Sequence, residues 1–329
     1  MTALSGAVRD TANGDLEDLG EAQRQDDAKA SRAKIIDHFS TTHFEELSSF
    51  RGLCNVLKAA SINAAVRVWQ KFNKGRPVVC DLGCGKGGDL NKWMMHRPKR
   101  WIGLDGSAAC IEEAAKRHSQ SVARGRGNMQ TQLHTLDLCD TTQRYPLEDA
   151  SIDIMTSLFF IHFASESLQV FTHVLDEISR VLKPGGVVLI LVPDGNRIWS
   201  LLESPCSVQH GHFTLSRCDA DWSLTSNIFG LTYQFALAGN ACSEYVLFPR
   251  YLEEQLSDRG FETAFADAGL NQDESSCHRM NQSMGAQTFF TQSPDRAGLM
   301  RSMLRREGTS YYDWWSLGLF RVLLVRLPS

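Results

Sequence analysis

The segment VVCDLGCGKGGDL, residues 78–90, decides the fold. A short apolar run ends in an acid, Asp81, and passes at once into a turn with glycines at 83, 85, 87 and 88. Glycine in such a turn allows a tight reversal and close approach of backbone to a ligand. Residues 89–95 read as a helix, so the unit is strand, glycine turn, helix. Downstream the alternation continues: RWIGLD (100–105) as a second strand, SAACIEEAAKRH (107–118) as a helix and TQLHTLDL (131–138) as a third strand. IDIMTSLFF (152–160) reads as a fourth strand, ESLQVFTHVLDEISRVL (166–182) as a long amphipathic helix, and GVVLILV (186–192), after the turn LKPGG, as a fifth strand. Strands alternating with helices imply a mostly parallel sheet with helices on both faces.

Upstream, apolar residues at 53, 56, 57 and 60 keep helical spacing, and two helices are expected between residue 34 and the first strand. Residues 1–33 carry seven acids and four bases and no aromatic residue, and are expected to form a flexible polar arm. Beyond Asp194 the alternation stops. The 205–230 stretch is polar without a clean period, while GLTYQFALAG (230–239), YVLFPRYLEEQL (245–256) and LGLFRVLLVRL (317–327) look like later strands and a helix. One α/β domain over 34–329 with a C-terminal elaboration is the expected organisation.

Composition narrows the function. The 329 residues are 43% hydrophobic and 22% charged, an ordinary globular balance, with a formal net charge of -4. A nucleic-acid partner would therefore need a local basic patch. No apolar run reaches the ~18 residues of a membrane span, and no membrane partner is expected. The acidic N-terminal residues do not read as a leader. Nine scattered cysteines without a CxxC pair read as reduced thiols, with no metal site.

The glycine turn alone is weak evidence, since dinucleotide enzymes use a similar one. The acids change the balance. Asp81 before the first glycine would repel a pyrophosphate but suits an ammonium group. Asp105, at the end of the second strand, suits a ribose diol, and Asp137, at the end of the third, an adenine amine. Cation, ribose and adenine together are the parts of S-adenosylmethionine. The layout resembles the class I (Rossmann-like) S-adenosylmethionine-dependent methyltransferases, as does the Pro-Gly-Gly turn in LKPGG.

A narrower likeness rests on FRGLCNVLK (50–58), GCGKGGDLNKW (83–93), LFFIHFASES (158–167), YQFALAG (233–239) and SEYVLFPRYLEE (243–254). These segments resemble the eukaryotic mRNA cap guanine-N7 methyltransferases over residues 34–329. That resemblance implies cofactor contacts at Lys58, Asp81, Gly83, Gly85, Asp105 and Asp137. It implies a cap pocket in which Phe159, His162 and Phe163 approach the guanine, Glu244 accepts from its N1–H and amine, and Pro193, Phe235 and Phe320 complete the walls, with the C-terminal elaboration forming part of the pocket. Asn55 matches one of the family's two asparagines; Cys54 stands at the other. Phe163 and Phe320 stand where the family usually has tyrosine. Lys86 and Lys92 are expected to meet the cap triphosphate, with Arg97, Lys99 and Arg100 extending that patch toward RNA. No residue is assigned proton transfer. The expected partners are capped RNA (GpppN) and other capping enzymes, and the expected location, from function alone, is the nucleus. A small-molecule methyltransferase of the same fold and a catalytically silent RNA- or partner-binding subunit are the competing readings.

Overall fold

The computed structural model describes residues 29–38, 48–126, 129–210, 213–218, 228–237, 240–268, 283–285 and 319–328. Helices α1 (29–38) and α2 (Ser48–Phe72) lead into β1 (Val78–Leu82). Next come α3 (Leu90–His96), β2 (Arg100–Asp105), α4 (Ala108–Ala123), β3 (Gln130–Thr135) and β4 (Ile152–Leu158). A 3-10 turn (Ile161–Glu166), α5 (Leu168–Val181), β5 (Leu182–Pro193) and α6 (Gly195–Glu203) complete the alternating part. Four antiparallel strands come after it: β6 (Ser207–His210), β7 (Phe213–Arg217), β8 (Thr232–Leu237) and β9 (Asn240–Tyr245). The described chain closes with α7 (Pro249–Asp258), β10 (Glu262–Thr263), β11 (Ser283–Gly285) and β12 (Phe320–Arg326).

The main sheet has the order β10-β12-β5-β4-β1-β2-β3, with β11 also on β12. Strands β1 to β5 are mutually parallel, and β12 runs antiparallel to β5. Alternate residues of each central strand feed opposite faces. Val187, Leu189 and Leu191 of β5 join one core with Leu57, Ala64 and Val68 of α2, while Val188, Ile190 and Val192 join the other with Phe171, Leu175 and Ile178 of α5. This is the expected mostly parallel sheet with helices on both faces, the class I methyltransferase architecture. β6 to β9 form a separate sheet whose Phe213, Leu215 and Tyr233 pack into the α2-side core.

Several boundaries differ from the sequence reading. The arm was expected to run to residue 33, but α1 begins at 29, and its Arg32 is tied into the domain; residues 1–28 lie outside the described part. β3 ends at Thr135, so Asp137 sits in the loop beyond it, where its carboxylate accepts from Cys139 N–H at 3.0 Å. The helix expected over 166–182 is broken at Ser167, which is extended (φ -154°, ψ 160°) and caps α5 by accepting from Val170 N–H. LKPGG is a bulge inside β5, where the register against β4 shifts between Ile152 and Ile154. Strands β6 and β7 escape a sequence reading because they are short, with one apolar residue in β6 (Val208) and two in β7 (Phe213 and Leu215), too few to stand out in a polar stretch.

Candidate active site

The carboxyl ends of β1, β2 and β4 open onto a cavity of about 770 Å³. Its floor is the glycine turn. Gly83 N–H and Cys84 N–H both donate to Leu104 O, at 2.9 and 3.1 Å, which folds the turn back over β2. Gly83 has φ +67°, and a Cβ there would lie 2.5 Å from the Phe160 Cβ, so no side chain fits. Gly85, at φ +51°, donates its N–H to Asp105 Oδ2 at 2.8 Å, while Ser107 N–H binds Oδ1 at 2.9 Å. Burial raises the Asp105 pKa above its ordinary value against the pull of these two N–H bonds. Gly83, Gly85, Asp105, Asp137, Lys58, Lys86, Phe159 and Phe163 all line the cavity, with Ile35 and Ile36 of α1 on the far side.

Asp81 stands behind that wall. It is 2% exposed and accepts from Thr156 Oγ1 at 2.7 Å. Burial and the nearby charge of Asp89 push its pKa up to about 7, while Thr156, Lys58 and Lys92 pull the other way. Asp89 is the hub of the basic side. It accepts from Lys58 Nζ at 2.8 Å and Lys92 Nζ at 2.7 Å. Burial pushes its carboxyl up, but the two ammonium groups outweigh that and hold it below the ordinary range. Lys92 also donates to Asn55 Oδ1 at 2.9 Å and Gly88 O at 3.3 Å. Neither Asn55 nor Lys92 is on the cavity wall, so of the two lysines expected at a triphosphate only Lys86 lines it.

The second half of the site adjoins the cavity through Phe159 and Phe163. Phe159 ends β4 with φ +70°, a strained value for a residue with a side chain, and its N–H is anchored on Leu191 O. The Phe320 ring meets it edge-on at 5.0 Å, and Lys58 Nζ lies 5.3 Å from its centroid. Phe320 faces Pro193 across β12 and β5. The His162 ring lies 4.2 Å from that of Phe163 and is 1% exposed, and among the described residues neither ring nitrogen has a hydrogen-bond partner. Burial lowers its pKa to about 3, so it is neutral. His162 Nε2 stands 3.6 Å from Glu244 Oε2, and the Tyr233 hydroxyl donates to that same oxygen at 2.5 Å. Burial pushes the Glu244 pKa up to about 7, and the tyrosine bond opposes the shift. Phe235 lies along β8 against Phe213, with ring centroids 5.9 Å apart.

Arg97, Lys99 and Arg100 do not extend the Lys86 side of the cavity. They precede or begin β2, whose other end is Asp105, about 17 Å away at 3.3 Å per residue. A parallel sheet puts the amino end of every strand at the pole opposite its ligand crevice.

Residues 25–284 match the family model of the mRNA (guanine-N(7))-methyltransferase domain. The chain belongs to that family. It is 26% identical over 243 residues to an mRNA cap guanine-N(7) methyltransferase of Arabidopsis thaliana, covering 69% of this chain and 65% of that one. Against the mRNA cap guanine-N(7) methyltransferase of Caenorhabditis elegans the values are 28% over 229 residues, 65% and 58%. Against that of Saccharomyces cerevisiae they are 29% over 183 residues, 51% and 41%. The chain therefore spans between about two fifths and two thirds of these relatives.

Three residues of this cap-methyltransferase domain escaped the sequence reading. Asp89 read as a helix start; of its two lysines, Lys92 three residues on was a local signal, while Lys58 comes from α2 and was not. Tyr233 is set opposite Glu244 only by the β8–β9 register. Arg32 lies in what read as the arm, yet it donates to Asp137 at 3.1 Å and Glu166 at 2.6 Å.

Proposed function

We propose that this domain transfers a methyl group from S-adenosylmethionine to N7 of the terminal guanosine of GpppN-capped RNA. The observation that carries the reading is the union of two unlike half-sites. One is a glycine turn whose strand-end acid, Asp105, is already oriented by two backbone N–H groups. The other is a carboxylate, Glu244, set among rings and beside an uncharged His162.

The cavity fits the cofactor by volume and by chemistry. The space over Gly85, open where a Cβ would stand, admits close approach, Asp105 keeps lone pairs for a ribose diol, and Asp137 and the aliphatic Ile35 and Ile36 suit an adenine ring. Behind the floor, Lys58 and Lys92 neutralise Asp89, which leaves Asp81 as the acid that would favour an ammonium or sulfonium. When bound, the cofactor supplies an electrophilic methyl carbon on a good leaving group.

Guanine N7 has a free lone pair at neutral pH, so no residue needs to remove a proton. Neutral, buried His162 agrees with that. The chain's work is then positioning and electrostatics, and holding reactants at near-attack geometry is worth about 7–11 kcal/mol. Guanine offers two adjacent donors, N1–H and the amine, and an ionised Glu244 accepts both; adenine has no such edge. Phe163 and Phe320 keep the rings for stacking and leave out the hydroxyls. The same reading implies action in the nucleus beside other capping enzymes, which imaging and affinity capture of the full chain would test.

The direct test is label transfer from S-adenosylmethionine to GpppN-RNA, beside the same RNA with a 5′-triphosphate and one already methylated at N7. Label on the first alone, recovered as 7-methylguanosine, is the expected result. Cofactor binding without label on any cap structure would overturn the cap reading and favour a small-molecule acceptor.

A further inference from the structure

The pole of the sheet opposite the cavity is strongly basic in a chain whose net charge is -4. Two bases precede each of the first three strands: Lys74 and Arg76 before β1, Arg97 and Lys99 before β2, and Arg124 and Arg126 before β3, all exposed. The sheet itself brings them together. Val78 pairs with Arg100 and Arg100 with Gln130, so the three strand starts lie side by side, and Lys99 N–H is bonded to Pro77 O at 2.8 Å. Neighbouring strands are about 4.8 Å apart. Residues 70–77, 91–100 and 118–131 contain no acid.

The other half of the same pole is built differently. There Arg180 binds Glu177 and Asp149, Lys183 binds Asp153 at 2.9 Å, and Arg326 faces Glu262 at 3.8 Å. Among the described residues no carboxylate bonds any of the six bases at β1–β3. Six like charges that no described carboxylate bonds repel one another, a cost that an anionic ligand would relieve; the acid at the start of β1, Asp153, accepts from Val78 N–H and pairs with Lys183. At the border between the two halves, Phe72 is 46% exposed, and the Arg326 guanidinium lies 4.3 Å from its ring centroid. An exposed ring beside a row of cations is the combination that holds single-stranded nucleic acid, by stacking a base while the charges follow the backbone.

We propose that the β1–β3 pole binds the body of the RNA, downstream of the cap, as a second contact about one strand length from the reaction centre. The choice of RNA over another polyanion rests on the cap reading and on the exposed ring. Contact at two places on one strand raises effective concentration without any new interaction at the cap.

The test uses the full chain and the triple variant Arg97→Gln, Lys99→Gln, Arg124→Gln, none of which touches the cavity. Binding of an uncapped single-stranded RNA of about 25 nucleotides is followed by fluorescence anisotropy across a salt series, and the slope of log K against log salt should shrink by about 2. Affinity at physiological salt should fall about tenfold or more. The KM of the same RNA with a GpppA cap should rise to match, while methylation of the free GpppA dinucleotide stays unchanged. An unaltered slope would overturn the proposal, as would equal loss on the dinucleotide. So would a poly-glutamate of the same charge that binds the wild type and loses the variant while RNA binding is kept, which would point to an acidic protein instead. A wild type that never methylates GpppA counts against the cap reading alone, since the uncapped RNA titration still decides the surface.

Discussion

The two walls of the site hold their acids by opposite means. Asp105 stands at the end of a parallel strand and is gripped by the N–H groups of Gly85 and Ser107, so its orientation is part of the backbone. Glu244 stands on an antiparallel strand, gripped by one phenol and bordered by a histidine with no other partner among the described residues. The first acid is set before any ligand arrives. The second has only the Tyr233 hydroxyl as a hydrogen-bond donor among the described residues, and the proposed guanine edge would bring two more. A cofactor wall of this kind serves any methyl acceptor; a wall like the second selects one.

Glu244→Gln puts the greatest strain on that contrast. The amide keeps a partner for Tyr233 but cannot accept from both guanine donors. Loss of kcat/KM on GpppN-RNA by about a hundredfold is expected, from removing a buried charged acceptor worth about 3 kcal/mol. Calorimetry should show cofactor affinity intact, and a fall there would merge the two walls into one. The same variant has a stability signature. The folded Glu244 pKa, pushed up to about 7 from an ordinary 4.5, means that the fold prefers the protonated acid. Its contribution is complete below pH 4.5 and is lost as pH rises through 7. The glutamine variant should therefore melt with the wild type at pH 4.5 and above it at pH 8, by about 3 kcal/mol in stability.

Asp105→Ala should do the reverse. Cofactor binding weakens about thirtyfold, the loss of charge-assisted bonds of about 2 kcal/mol, while the KM for capped RNA at saturating cofactor holds. Tyr233→Phe is subtler. Without the hydroxyl, Glu244 titrates higher, so the acid limb of the pH–activity profile moves to higher pH, and KM for capped RNA at pH 7 rises about tenfold. Recovery of KM at pH 9 would separate an effect on protonation from general damage. The smallest effect is expected from Ser107→Ala, which removes the oxygen that accepts Cys110 N–H at 3.1 Å and caps α4. Stability should drop by about 1 kcal/mol, or about 2–4 °C in melting, with Asp105 still held by its backbone bonds.

The difference between the walls also explains what could be read in advance. The parallel half was legible because its signals are local. An apolar run, glycines and a strand-end acid sit within a dozen residues, and buried strands admit little else. Asp81 was legible as an acid but not as one withdrawn behind the floor, since that depends on Thr156 from a strand 75 residues away. The second wall was legible only by family likeness, at Phe159 and His162 after β4 and at Glu244 on the antiparallel β9. Strands β6 and β7 of the same antiparallel sheet are too short to show more than one or two apolar residues each, and the Tyr233–Glu244 pair is made by the β8–β9 register. Arg97, Lys99 and Arg100 misled because they are close in sequence to the glycine turn; one helix and one reversal carry them to the other pole.

β12 lies between β5 and β10, with Phe320 opposite Pro193 and its ring against Phe159. Synthesis runs the other way round the sheet. By the time β5 leaves the ribosome, the glycine turn, Asp105 and the four parallel partners already exist, yet β5 has no neighbour on its outer side and the pocket proposed for guanine still lacks Tyr233, Glu244 and Phe320. The neighbour and the last ring come with one late strand, more than a hundred residues on. Such distant pairings are slow to form. A growing chain thus completes the wall proposed for its methyl donor well before the one proposed for an acceptor.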